Sequence, residues 1–294
     1  MPRTFSYWKL ASLAVIASAV IAGCAEPPAQ QTDEGGEAAT TGTITVKGSD
    51  TMVVLGQKWA EVYQEKTPGV RIQVTGGGSG TGIAALLNGT TDIAQSSRPI
   101  KDKERQDVKS KTGKEVYEVP VAKDGIAVYV HKDNQLEEIS MAQLKDIYTG
   151  KITNWKDLGG PDAPIIIYSR ENNSGTYVFF KEHVLDDEDY SPRAQNMPGT
   201  ASVVNAVTKD PNGIGYGGIA YGEGVKVLKV KADDQSQAWL PDKEHILSGE
   251  YPISRDLYVY TIGEPTGIVK AYIDWCLSDE GQKVAEEAEY IPLR

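Results

Sequence analysis

The chain has 294 residues, a formal net charge of −11 and only two cysteines. This acidic balance excludes nucleic acid as an expected partner, because proteins that bind it neutralise phosphates with a surplus of Lys and Arg. The cysteines and the three histidines lie far apart and lack the spacing of metal ligands, so we expect no metal site.

The first residues have the form of a secretory signal. Two basic residues precede an apolar run over residues 10–22 that is too short to span a membrane. The run ends in Ile-Ala-Gly-Cys and resembles a bacterial lipoprotein signal with Cys24 as the lipidated residue, and an ordinary signal with an incidental cysteine is the alternative. The sequence therefore predicts a signal peptide over 1–23. Residues 24–42 contain almost nothing apolar, which predicts a flexible tether.

Three strand-like runs are each followed by a hydroxyl-rich loop and the start of a helix. The loops are GSDT at 48–51, TGGGSGTG at 75–82 and RENNSGT at 170–176. Glycines let a backbone approach a ligand closely, and helix starts carry unpaired N–H groups with a partial positive charge, so we expect 75–82 to be a loop of exposed amides. Plain N-caps or a flexible turn remain the alternative for any single loop. The three together predict a shared site for a small anion.

Strand-like and helix-like runs alternate along the remaining chain. A charged helix is predicted near 101–111, and two strand-like runs that join at residues 123–125 follow it. Near the C-terminus an apolar helical run contains Cys276, which we expect to be a small core residue. Alternation of this kind predicts an α/β fold with mainly parallel sheets, and about 250 folded residues suffice for one large domain or two smaller ones.

Four segments together resemble one protein family. They are MAQLKDIYTGKITNWKDLGG at 141–160, SRENNSGTY at 169–177, NGIGYGGIAY at 212–221 and the C-terminal run over 251–293. In their order and spacing, these segments resemble the PstS family, the phosphate-binding proteins of ABC phosphate importers. The resemblance covers nearly all of the chain from residue 43. The resemblance implies a binding protein without catalytic residues or cofactor that delivers inorganic phosphate to permease subunits.

The resemblance also implies a two-lobed periplasmic-binding-protein fold that closes like a hinge on its ligand. We expect the chain to cross between lobes near 121–126 and 253–257. Lobe one is then 43–122 plus 256–294, and lobe two is 123–255. The ligand would lie in the cleft between the lobes. The protein is expected to be an extracytoplasmic monomer, held to a membrane by a lipid on Cys24.

The resemblance implies a ligand set that is drawn mainly from the three loops. The set comprises Ser49 and Thr51 from the first loop, Ser79 and Gly80 from the second, Arg170, Ser174, Gly175 and Thr176 from the third, and Ser97. Arg170 is expected to be the one fixed positive charge, while neutral hydroxyl and amide donors take the remaining oxygens. For Arg98 we expect an external ion pair rather than a ligand contact.

The chain departs from the family at two acidic positions. It has Ser97 where many relatives carry an aspartate that accepts the proton of hydrogen phosphate, and Asn172 where another acid orients the arginine. Such an acceptor disfavours sulfate, which has no proton to donate. Asp124, near the expected cleft floor, is the predicted replacement, with Asp92 and Glu171 behind it. The alternative for Asp124 is an ordinary hinge turn.

Two other classes of function fit parts of the sequence. A binding protein for molybdate, tungstate or sulfate would use the same fold and similar donors, and the two departures favour it. A serine hydrolase or phosphatase would need an activated nucleophile or a metal cluster, yet neither a GxSxG motif nor a serine paired with a histidine base is visible. The sequence therefore predicts a phosphate-binding protein.

Overall fold

The structure is a computed structural model that describes residues 41–293. The predicted signal peptide, Cys24 and nearly all of the predicted tether lie outside the described residues. Within this range the chain forms ten β-strands and nine α-helices. The strands are β1 (Gly42–Gly48), β2 (Val70–Thr75), β3 (Ile93–Ser96), β4 (Val116–Val130), β5 (Glu138–Ser140), β6 (Ile166–Arg170), β7 (Gln195–Met197), β8 (Gly213–Gly218), β9 (Lys226–Lys231) and β10 (Ser254–Ile262).

Helices and strands alternate along most of the chain, as the sequence predicts. The helices are α1 (Val53–Lys66), α2 (Ser79–Leu87), α3 (Asp102–Thr112), α4 (Met141–Thr149), α5 (Gly175–His183), α6 (Thr200–Lys209), α7 (Lys243–Ser248), α8 (Gly267–Leu277) and α9 (Asp279–Glu287). The alternation is broken where β5 follows β4, β9 follows β8 and α9 follows α8. Short 3-10 turns cover Asp50–Met52, Trp155–Leu158 and Ile219–Tyr221. Among the described residues, no helix is both long and apolar enough to cross a membrane.

All ten strands of the described chain belong to one mixed sheet. Its order is β2-β1-β3-β10-β4-β8-β6-β7, while β9 pairs with β4 and β5 pairs with β9. Five of the nine pairings in the described chain are parallel, and the four antiparallel ones all involve β4 or β10. The sheet is therefore less parallel than the sequence predicts, because these two strands run against their neighbours.

Two large hydrophobic cores lie along the sheet. The first packs β1, α1 and α8 around Leu55 and Trp59 and includes Cys276, which is buried as predicted. The second packs α4, α5 and β8 around Phe180 and Tyr216. Burying a large apolar side chain contributes roughly 1.5–3 kcal/mol, so each core stabilises its own part of the chain.

Strands β4 and β10 connect the two cores. The side chains of β4 contribute to the first core up to Ala122 and to the second core from Ile126 onward. Between these points the antiparallel register places Asp124 directly opposite Arg255. Residues 123–125 lie inside one continuous strand of 15 residues, so the predicted break into two runs and the alternative of a hinge turn are both wrong.

The three predicted strand–loop–helix units are all present. β1 leads into α1, β2 leads into α2 and β6 leads into α5. The loop was expected to extend to residue 82, but helix α2 already begins at Ser79. Its N-cap Gly78 has a φ of 90°, which glycine adopts without steric cost. Residues 79–82 therefore form the first turn of a helix rather than a loop of exposed amides.

Candidate functional site

Hydroxyl side chains from the three predicted loops meet in one buried cluster. Thr51 Oγ1 lies 2.9 Å from Thr176 Oγ1, although the two residues are 125 positions apart. Ser79 Oγ accepts the Ser97 backbone N–H at 3.1 Å and lies 3.4 Å from Ser97 Oγ. All four side chains are buried. The structure thus brings together predicted ligand residues from separate elements.

Gly175 lies against the serine hydroxyls of this cluster. A Cβ atom on Gly175 would come within 2.3 Å of Ser79 Oγ and 2.7 Å of Ser97 Oγ. Distances this short leave no room for a side chain. Because Gly175 is also the first residue of α5, the start of that helix lies directly against the start of α2.

An arginine that the sequence analysis missed connects the cluster to β4. Arg255 Nη2 donates to Thr51 Oγ1 at 3.3 Å and to Thr176 Oγ1 at 3.0 Å. Its Nε and Nη2 both donate to Asp124 Oδ2, at 3.1 and 2.8 Å. The prediction that Arg170 is the one fixed positive charge is therefore wrong. The sequence did contain a signal for this pair: Asp124 lies in the first predicted crossing between lobes and Arg255 lies in the second, so the two were expected near the same cleft.

Arg170 is the second buried guanidinium of the site. Its Nη1 donates to Thr200 Oγ1 at 2.9 Å, and its Nη2 donates to Asp50 Oδ2 at 2.7 Å and to the Pro198 carbonyl at 3.4 Å. Burial lowers the pKa of Arg255, the charge and hydrogen bonds of Asp124 oppose this effect, and the nearby charge of Arg170 makes a smaller lowering contribution. Arginine side chains remain protonated in proteins, so the site contains two permanent positive charges.

Asp124 is fully buried, and only one of its carboxylate oxygens is paired. Oδ2 accepts both bonds from Arg255, whereas Oδ1 has no hydrogen-bond partner among the described residues. A Cβ atom on Gly218 would lie 2.9 Å from Oδ1 and 3.0 Å from Thr51 Cγ2, so Oδ1 and Thr51 border the same glycine. Burial raises the pKa of Asp124, while the charge and hydrogen bonds of Arg255 and, to a smaller extent, the backbone N–H of Ile219 oppose this rise.

The two other predicted acids lie away from the cluster. Asp92 Oδ2 accepts the backbone N–H and the hydroxyl of Thr45, both at 2.7 Å, and Asp92 is exposed. Glu171 is also exposed and lines a surface cavity. Neither carboxylate has a hydrogen bond to a residue of the cluster within the described chain, so of the three predicted acids only Asp124 contacts it, through Arg255.

The acid that orients Arg170 comes from the first loop. Asn172 is exposed, whereas Asp50 accepts the bond from Arg170 through Oδ2 and the Gly77 N–H through Oδ1 at 2.8 Å. Asp50 stands between Ser49 and Thr51 in the GSDT loop, so its position was available in the sequence. Its role was missed because the contact joins residues 120 positions apart.

Two predicted ligand residues already bind other groups. Ser174 Oγ accepts the Tyr177 N–H at 3.3 Å as the N-cap of α5, which leaves its hydroxyl hydrogen available to a ligand. The Gly80 N–H donates to the Asn173 carbonyl at 3.0 Å. The structure therefore contradicts the predicted donor role of the Gly80 amide.

Ser49 and Arg98, the two remaining positions named in the sequence analysis, are both buried. Ser49 is buried at the end of β1, and its backbone N–H donates to the Gln95 carbonyl at 2.9 Å. Arg98 forms two hydrogen bonds to the Glu104 carboxylate, at 2.8 and 2.7 Å. Arg98 is thus engaged in an ion pair as expected, although its guanidinium is buried rather than external.

The cluster has the chemistry of a small oxyanion site. Arg170 Nε and Arg255 Nη1 are buried donors without a partner among the described residues, and Asp124 Oδ1 is a buried acceptor without one. An unpaired buried polar group costs roughly 1–3 kcal/mol, and more if it is charged, so these atoms favour a polar ligand. Two guanidiniums and several hydroxyls suit an anion, and one carboxylate oxygen suits an anion that carries a proton. Among the described residues, no three His, Cys, Asp or Glu side chains form a group that could hold a metal ion.

Comparison with known proteins identifies relatives along most of the chain. Residues 33–280 match the PBP superfamily domain. The phosphate-binding protein PstS of Pseudomonas aeruginosa is 36% identical over 270 residues, which cover 86% of this chain and 84% of that protein. The protein of the same name from Bacillus subtilis is 34% identical over 260 residues, covering 88% of this chain and 83% of that protein.

The fold also matches a solved structure. A Clostridium perfringens protein assigned as the substrate-binding protein of a phosphate ABC transporter, determined with bound phosphate, superposes with a TM-score of 0.78. It is 34% identical, and the match covers 86% of this chain and 100% of that chain.

Proposed function

This chain belongs to the PstS family of phosphate-binding proteins, and we propose that it binds inorganic phosphate in the buried cluster described above. Its relatives from Pseudomonas aeruginosa and Bacillus subtilis carry the phosphate-binding name, and the Clostridium perfringens structure holds phosphate. The family consists of solute-binding proteins, so the chain is a binding protein and not an enzyme. It serves an ABC phosphate importer outside the cytoplasm.

The donors to the phosphate oxygens are two guanidiniums and a set of hydroxyls. The proposed set is Arg170, Arg255, Ser49, Thr51, Ser79, Ser97, Ser174 and Thr176. The positive charges of Arg170 and Arg255 are each paired with an aspartate, so the ion pairs of the site sum to zero charge. Hydrogen bonds and the starts of α2 and α5 therefore stabilise the ligand's charge, rather than a surplus of cations.

The unpaired Oδ1 of Asp124 is the single observation that favours phosphate. An acceptor in this position can take the proton that hydrogen phosphate and dihydrogen phosphate both carry. Sulfate has no proton at neutral pH, so the same oxygen would repel it. The argument for another oxyanion was the absence of acids at positions 97 and 172. Asp124 is the candidate for accepting the phosphate proton, and Asp50 is the candidate for orienting Arg170.

Closure of two lobes on the ligand is a further part of the proposal. The suggested lobes are 43–122 plus 256–294, and 123–255. They are supported by the two hydrophobic cores and by the passage of β4 and β10 between them. A cleft between these lobes would receive Asp50, Thr51 and Ser79 from one side and Arg170 and Thr176 from the other.

Three finer features of this function rest on the sequence. We propose that a lipid on Cys24 anchors the protein, that residues 25–42 act as the tether, and that the protein delivers phosphate as a monomer to permease subunits. A signal of this form and a stretch with almost nothing apolar support the anchor and the tether.

Calorimetry with a panel of oxyanions tests the proposed function. The full chain, purified in mild detergent, is titrated with phosphate, arsenate, sulfate and molybdate. We expect phosphate and arsenate to bind and sulfate and molybdate to bind at least about 100-fold more weakly, since an unmet buried acceptor costs a few kcal/mol. Binding of sulfate or molybdate as tight as that of phosphate would contradict the proposal.

A further inference from the structure

We propose that Asp50 is a positioning residue that makes anion retention depend on closure of the cleft. Its carboxylate holds the Arg170 guanidinium from the opposite side of the site. The inference rests on the proposed function, because it assumes phosphate between two lobes, and it adds a residue that acts on Arg170 rather than on the ligand.

Among the described residues, Arg170 has only neutral partners on its own side of the cleft. It ends β6, which borders the second core, and it is 1% exposed. Its local acceptors are the hydroxyl of Thr200, the first residue of α6, and the carbonyl of Pro198, two residues earlier. Glu171 is adjacent in sequence, but its side chain is exposed and forms no ion pair within the described chain. A buried guanidinium with such partners is weakly oriented, since carboxylates supply its strongest hydrogen bonds.

Asp50 supplies the missing carboxylate from the side of the first core. Within the described residues it is the one acid that forms an ion pair with Arg170, at 2.7 Å. The Gly77 N–H donates to its other oxygen at 2.8 Å, and the Tyr221 hydroxyl donates to its backbone carbonyl at 2.7 Å. Asp50 is therefore fixed in place by the segment before α2 and, across the cleft, by Tyr221.

The sheet order shows why this ion pair reports closure. β1, which leads into Asp50, is separated from β6 by β3, β10, β4 and β8. The two ends of the pair thus belong to different cores and would part when the cleft opens. In an open cleft Arg170 keeps only neutral partners and can face an incoming anion. Closure adds Asp50, which orients the guanidinium around a ligand that is already bound.

If Asp50 contacts Arg170 only after closure, it should affect the dissociation rate constant of phosphate and not the association rate constant. Removing its negative charge does not weaken the attraction of an anion to the open cleft, so the association rate constant should be preserved. The closed state loses the carboxylate that holds Arg170, so it should open and release phosphate faster. Most affinity differences between variants of one site do arise in the dissociation rate.

Stopped-flow measurements on the full chain with inorganic phosphate test this division. For Asp50→Asn we expect phosphate to dissociate at least about tenfold faster, with an association rate constant within about threefold of wild type. Glu171→Gln removes one acid beside Arg170 and is the control for local charge. Glu182→Gln breaks the exposed Lys101–Glu182 pair, 3.5 Å long, and is the control for an ion pair that crosses the cleft. Both controls should change each rate by less than about twofold.

A double-mutant cycle tests whether Asp50 acts through Arg170. In Arg170→Gln the added Asp50→Asn change should not accelerate dissociation by more than about twofold. The double variant removes both charges of the pair, so it avoids the isolated buried cation that could unfold Asp50→Asn alone.

Two results would overturn the inference while leaving the proposed function intact. One is phosphate dissociation from Asp50→Asn within twofold of wild type. The other is a loss that appears in the association rate, or that persists in full in the Arg170→Gln background. Failure of the wild-type protein to bind phosphate would instead contradict the proposed function itself.

Discussion

Asp124 and Arg255 face each other on β4 and β10, at the point where these strands pass from one hydrophobic core to the other. Both contacts between their side chains, at 3.1 and 2.8 Å, go to the same carboxylate oxygen. Arg255 continues to Thr51 and Thr176, which belong to two different strand–loop–helix units. The pair therefore links the strands between the cores to the hydroxyl donors of the site.

Loss of the Arg255 guanidinium is expected to weaken phosphate binding strongly. Arg255→Gln should cost about 2–5 kcal/mol in binding free energy, because it removes a buried charged donor and leaves Asp124 without its cation. Calorimetric titration with phosphate measures this loss. The exposed Arg193 provides the control, and Arg193→Gln should change affinity by less than about 0.5 kcal/mol. A change below threefold for Arg255→Gln would remove this residue from the site.

A methyl group at Gly175 should block the site without removing any donor. The added Cβ of Gly175→Ala would overlap Ser79 Oγ at 2.3 Å and lie 3.0 Å from Ser79 Cβ, so either the serine hydroxyl must leave its position or the starts of α2 and α5 must separate. Overpacking of this kind costs about 1–3 kcal/mol, so we expect roughly a tenfold to hundredfold loss of phosphate affinity. Gly199→Ala is the matched control, since its Cβ would meet only Asp50 Cγ, at 4.0 Å. Equal affinities of the two variants would contradict the close packing at Gly175.

Local features of the fold were predictable from the sequence, and long-range ones were not. The strand–loop–helix units follow from hydrophobic period and helix-start residues, and α3 follows from its run of charged residues, all of which are properties of short segments. Residues 123–125 read as a turn because Lys-Asp-Gly favours one, yet pairing with β10 holds them in an extended strand. The two carboxylate–arginine pairs join residues 120 and 131 positions apart, and no local pattern encodes such a contact.

The Arg98–Glu104 pair should make the protein sensitive to acid. Burial acts to raise the pKa of Glu104, but the hydrogen bonds from Arg98 and from the Lys101 backbone outweigh burial and hold that pKa below its ordinary value. A lowered folded-state pKa contributes stability above the unfolded value, near 4.3, and this contribution disappears as pH falls through the folded value.

Denaturant unfolding of Glu104→Gln at several pH values tests this contribution. At pH 7 the free energy of unfolding should fall by about 1–3 kcal/mol relative to wild type. The difference should shrink below about pH 4, where the wild-type side chain becomes protonated. Glu182→Gln, in an exposed pair, should show little difference at either pH. A difference for Glu104→Gln that stays constant with pH would contradict the assigned cause.

Removal of the proposed lipid site should change location but not binding. Cys24→Ser should move the protein from the membrane fraction to the soluble extracytoplasmic fraction, because a single anchoring site is lost. Phosphate affinity should stay within about twofold of wild type, since the proposed site begins at Ser49. Cys276→Ser, at a buried core position, should leave the protein in the membrane fraction. Membrane retention of Cys24→Ser would refute the anchor.

The phosphate-to-sulfate affinity ratio of Asp124→Asn tests the account most directly. If Asp124 Oδ1 accepts the ligand's proton, the asparagine variant should lose phosphate affinity and gain sulfate affinity, because its amide can donate to an oxygen that carries no hydrogen. Calorimetric titrations of wild type, Asp124→Asn and the control Asp92→Asn with both anions provide the ratio. The account predicts that the ratio falls at least about tenfold in Asp124→Asn alone. An unchanged ratio, or an equal loss of both anions, would contradict it.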